Sequence, residues 1–171
     1  MLTGLWQIKD ELQLVLLGIA IALGFWRGGG PERACAGVYL AMWLSDRLYH
    51  FAFGKIAALG GADLGHIVID ALVAFSLVLV ALYANRNYTL WLASMQLVAL
   101  LSHFLRIISP SIDPTAYALL MAFPMYLAVL IFVVGVIRHL RRQQRHGPYR
   151  SWRASSPRSA EHCWQTPSPN A

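Results

Sequence analysis

Five stretches of this chain, residues 12–26, 34–54, 64–84, 88–106 and 115–137, read as helices that could cross a membrane. No other feature narrows the fold so far. Crossing about 30 Å of hydrocarbon takes roughly 20 mostly apolar residues in a helix, and backbone polar groups placed there can be satisfied only within helices or a closed barrel. The expected fold is therefore all-α, a polytopic transmembrane helix bundle of about five spans. Composition agrees, because a chain that is 57% hydrophobic and 13% charged has too little polar surface to cover a soluble globule of 171 residues. The 12–26 stretch is the shortest, 34–54 and 64–84 carry internal charge, and 115–137 carries none.

A secretory leader is the competing reading of 12–26, with Ala34-Cys35-Ala36 as its cleavage site. Two features oppose it. Asp10 and Glu11 sit beside Lys9 in what would be the basic leader, and the ten residues 27–36, three of them charged, separate the apolar run from the site. Cleavage would also export the arginine-rich end of the chain, against the tendency of basic loops to stay in the cytoplasm.

Charge distribution sets the expected orientation. The formal net charge is +6, but seven of the fourteen basic residues lie at or after Arg138, so the excess is local and does not call for a nucleic-acid partner. A cytoplasmic C-terminus and five spans place the N-terminus outside. Arg27, Arg33 and Arg86 then fall inside with the tail, Lys9, Lys55 and Arg106 outside, and Arg47 in the membrane. The location expected is a bacterial inner (plasma) membrane. Cys35 and Cys163 both fall on the reducing side, so no disulfide is implied.

The connections are short and marked by turn residues: Gly28-Gly29-Gly30-Pro31, Gly60-Gly61 and Asn85-Arg86-Asn87. Short links make chain neighbours antiparallel neighbours in space. Asp113 and Pro114 read as the N-cap and first residue of the last helix. Pro124 should kink that helix. Beyond the last span, Arg138, Arg141, Arg142 and Arg145 recur at helical spacing and form one basic face suited to anionic lipid headgroups or a partner. Residues 1–146 are read as one bundle with this basic extension, and 147–171, rich in proline and serine, as a disordered cytoplasmic tail.

Ionisable residues inside the spans are the main functional signal. Asp46, Arg47 and His50 lie in the second stretch, His66 and Asp70 in the third, and Gln96, His103 and Arg106 in the fourth. Counting about 1.5 Å per residue along antiparallel helices puts all of them in one half of the bilayer, the outer one. Asp46 with His50 and His66 with Asp70 are i,i+4 pairs, so each helix has one polar side. A charge facing lipid at the helix centre costs roughly 2.5–3.5 kcal/mol on insertion scales, so these sides should face one another or a wet cavity, with Arg47 neutralising Asp46 or Asp70.

The function expected from these residues is non-catalytic: an accessory or scaffolding membrane subunit in contact with the bilayer, with a second copy or with a larger membrane complex. A small oligomeric channel, transporter or proton relay using the Asp/His/Arg cluster is the alternative. His50, His66 and His103 are weak candidates for a metal or haem, with no C-x-x-C-H or H-E-x-x-H spacing, and no metal or cofactor is expected. No serine or cysteine has a base and an orienting partner at catalytic spacing, so no enzyme activity is expected.

Overall fold

The computed structural model describes residues 2–53, 64–109, 111, 113–147 and 152. Five helices follow one another: α1 (Leu2–Arg27), α2 (Gly30–Phe53), α3 (Leu64–Tyr83), α4 (Asn87–Ile108) and α5 (Pro114–His146). Each packs on the next in the chain, and α1 packs on α5, so the five close into a ring, with α2 also touching α5. No strand occurs among the described residues; the single β-bridge joins Ala84 to Trp152.

Local chemistry explains the boundaries. Gly28 and Gly29 separate α1 from α2, with the Gly28 N–H donating to the Gly24 carbonyl at 3.1 Å. Helix α2 begins at Gly30, earlier than the apolar pattern implies, because Pro31 has no backbone donor to lose in a first turn. Helix α5 continues through the buried Pro124 to His146 and stops at Gly147, whose φ of 69° is left-handed and whose N–H closes on the Gln143 carbonyl at 2.9 Å.

Asp113 caps α5: its Oδ1 accepts the backbone N–H groups of Thr115 at 2.9 Å and Ala116 at 3.1 Å. Hydrogen bonds from Ala116 first and Thr115 next hold this carboxyl below the usual aspartate range. The capping contribution is thus complete above the ordinary aspartate pKa and is lost as pH falls through the lowered value. Asp113→Ala should speed amide exchange at Thr115 and Ala116 while leaving α5 beyond its second turn unchanged, as read by hydrogen exchange.

Three of the five helices are long and apolar enough to cross a membrane: Leu64–Tyr83, Asn87–Leu105 and Ala122–His146. By this measure α1 and α2 fall outside the set, so composition supports a helical bundle with three candidate spans and does not extend to about five. Every 18-residue window of α1 contains at least three of Lys9, Asp10, Glu11 and Arg27, while α2 carries Glu32, Arg33, Asp46 and Arg47.

The outer surface of the ring is apolar. On α3, Leu64, Val68, Leu72, Phe75, Leu79 and Leu82 form a continuous exposed stripe at helical spacing. Helices α1 and α2 show the same character through Val15, Ile19, Trp26, Leu44, Leu48 and Phe51. Contiguous exposed apolar surface on this scale does not suit contact with water. Inside, Tyr39, Leu77, Leu92, Phe132 and Val136 are among the most deeply buried side chains of one continuous core.

The expected tail falls almost wholly outside the described residues. Of 147–171 only Gly147 and Trp152 are described, and Trp152 lies against Ala84 and beside Gly30.

Candidate functional site

Helix α2 determines how polar groups are layered in the ring. Glu32, Cys35, Tyr39, Met42 and Asp46 recur at spacings of three and four, so they share one side of the helix. Glu32, Cys35 and Tyr39 are fully buried, and Asp46 is half-buried beside a cavity. About 21 Å of helix rise separates Glu32 from Asp46. Each marks a distinct polar layer.

In the first layer two carboxylates each collect partners from another helix. The Asp46 Oδ1 lies 3.0 Å from His66 Nε2 on α3 and 3.7 Å from His50 Nε2 one turn along α2. Asp70 on α3 is matched to α4: its Oδ1 accepts from Gln96 Nε2 at 3.0 Å, and its Oδ2 lies 3.0 Å from His103 Nε2. Gln96 and His103 are buried, whereas His50 is exposed and His66 is intermediate. The two groups meet at a cavity of ≈ 300 Å³ whose walls include Gln13, Asp46, Arg47, His66 and Asp70. A second space of ≈ 160 Å³ shares Gln13 and Asp70 and adds Gln96 and Pro124.

Among the described residues no contact ion pair joins Arg47 to Asp46 or Asp70. Its guanidinium lies 5.9 Å from the Trp43 ring centroid, a cation–π distance, and the carboxylates are met by imidazoles and an amide instead. Arg47 follows Asp46 directly, and although adjacent residues on a helix project about 100° apart, both border the ≈ 300 Å³ cavity. Arg106 lies in α4, with its side chain outside the described residues. Arg138, Arg141, Arg142 and Arg145 are all exposed on the end of α5.

The second layer was not recognised from sequence. Glu32 is fully buried at the start of α2, and its Oε1 lies 3.3 Å from Arg86 Nε, the side chains being 0% and 7% exposed. Arg86 Nη2 lies 3.3 Å from Nδ1 of the buried His139 on α5. The Tyr88 hydroxyl is buried beside the same carboxylate. The glycines of the α1–α2 link make room for this cluster: a Cβ on Gly29 would come within 3.0 Å of the His139 ring and 3.1 Å of Glu32 Oε2. A partial signal existed, since His139 sits between arginines of the basic face and has the opposite exposure.

Between the layers the interior is closely packed and mostly apolar. Ala36, Leu77, Leu92 and Phe132 are all at most 1% exposed, and the Tyr39 and Phe132 rings stack obliquely with centroids 6.1 Å apart. Gly24 allows α1 to approach here; a Cβ on it would come within 2.7 Å of the Phe132 ring. Set against known protein families, characterised proteins and solved structures, this chain matches none.

Proposed function

We propose that this chain is a five-span membrane protein of a bacterial inner membrane, with its N-terminus outside and the basic end of α5 in the cytoplasm, serving as a non-catalytic accessory or scaffolding subunit. The five-span reading is supported by α1 and α2 closing the same ring as the three apolar helices and carrying the same apolar outer surface. The Glu32 charge does not oppose it, since it is fully buried and paired and does not meet lipid, and Asp46 is half-buried against His66. Four exposed arginines on the last turns of α5 suit anionic headgroups on the cytoplasmic face.

The observation that carries the scaffolding reading is the apolar plug. Asp46 and Asp70 are engaged by side chains from neighbouring helices and Glu32 by Arg86 from the α3–α4 link, and the close-packed layer of Ala36, Tyr39, Leu77, Leu92 and Phe132 lies between them. A conduit needs a wet or relayed path across that layer. Polar groups of this kind specify which helix faces meet, a register function attested elsewhere for buried polar side chains. The apolar exterior then remains for lipid, a second copy or another membrane subunit. The competing conduit reading rests on the ≈ 300 Å³ cavity with its two aspartates.

Reconstitution separates the two. Liposomes containing the purified chain should pass protons, sodium and potassium no faster than empty ones, and Asp46→Asn and Asp70→Asn should change thermal stability without changing flux. Flux abolished by either substitution would replace the scaffold with a transporter. Reporter fusions after Gly147 should register in the cytoplasm and fusions at the N-terminus outside it; the opposite result would invert the orientation.

A further inference from the structure

The geometry points to a zinc-class divalent metal site formed by Asp46, His50 and His66, which extends beyond the scaffolding role and does not depend on it. One ligand atom from each residue lies within 4.8 Å of the other two. Both imidazoles present Nε2 to the same carboxylate oxygen, at 3.0 and 3.7 Å. Zinc bonds of about 2.0–2.1 Å in a tetrahedron place neighbouring ligand atoms about 3.3–3.4 Å apart, a value between those two distances. Small side-chain rotations would therefore let an ion replace the present contacts with bonds.

Several features distinguish this trio from an incidental contact. Two nitrogen donors and one oxygen donor form a set that suits zinc, whereas magnesium and calcium prefer all-oxygen sites. Tyr49 packs its ring edge-on against both imidazoles, 5.7 Å from His50 and 5.5 Å from His66, which limits their rotation. That packing depends on Gly65, where an added Cβ would fall 2.3 Å from the Tyr49 ring. None of the three is sealed in the core, the side chains being 32–42% exposed. Three protein ligands leave a fourth position unfilled, and because Asp46 and His66 also line the ≈ 300 Å³ cavity, a water or small ligand has room to complete it. Among the described residues the pair Asp70–His103 is not joined by a third ligand of this kind.

The test uses the full chain in detergent micelles, purified without a histidine tag and carrying His162→Ala and Cys163→Ser to remove competing donors near its end. Zn²⁺ titration by calorimetry should give one ion per chain. His50→Ala and His66→Ala should each weaken binding by more than the about 10- to 100-fold that loss of a supporting contact costs. Gly65→Ala should fall within that range with all three donors retained, and His103→Ala should leave binding unchanged. Co²⁺ should give the intense visible absorption of a tetrahedral site, with protons competing against the ion for the ligand atoms. Binding well below one ion per chain, or affinity unchanged in His66→Ala, would overturn the assignment. Should the histidine variants fail to fold, the Co²⁺ spectrum of the chain with both imidazoles intact decides: absorption of octahedral, solvent-like intensity overturns it.

Discussion

Arg86→Ala should lower the stability of the bundle by about 3–5 kcal/mol, the usual cost of leaving one member of a buried ion pair behind. The reason is the position of Glu32, whose carboxylate is fully buried and has Arg86 Nε 3.3 Å away. Without the guanidinium, that charge has no water to turn to, and His139 also loses its contact with Arg86 Nη2. The paired substitution Glu32→Gln with Arg86→Met should recover most of the loss, since neutral side chains of similar size leave no uncompensated charge. Thermal or denaturant unfolding in micelles measures both. A single variant no less stable than the double one would mean that Glu32 reaches solvent and that the layer is looser than described.

Phe132→Ala should be the most damaging change in the apolar interior, at about 3–5 kcal/mol for a buried phenylalanine truncated to alanine. In a bilayer the loss comes mainly from missing contacts and not from transfer out of water, because separated helices would also bury the ring in lipid. Phe123 supplies an internal control. It lies on the same helix, nine residues earlier, and is 64% exposed, so Phe123→Ala should be close to neutral. Equal effects at both positions would contradict a plug built around Phe132.

The buried layers also show how far residue spacing can be trusted. The stripes on α2, α3 and α4 were legible because i,i+4 spacing is set by helix geometry alone, and cost considerations turn such stripes away from lipid. Partner choice was not legible. Asp46 meets His66 across the α2–α3 contact and Asp70 meets Gln96 and His103 across α3–α4, and these matches depend on how far each helix is rotated and shifted against the next. Arg47 illustrates the limit, since its nearness in sequence to Asp46 suggested an ion pair, whereas its guanidinium lies 5.9 Å from the Trp43 ring centroid.

Glu32, Arg86 and His139 illustrate the same limit more strongly. Each lies near the end of a helix, where the rule for basic loops treats charge as a marker of sidedness and is silent about which way a side chain faces. The chain's own order of residues determined that it would be helical, where most of its helices begin and end, and which residue types gather at a common depth, because those follow from apolar run length, glycine and proline positions and rise per residue. The tertiary structure alone decided which charges became buried partners and that an apolar plug divides them, because burial belongs to the packed ring and to no single helix in it.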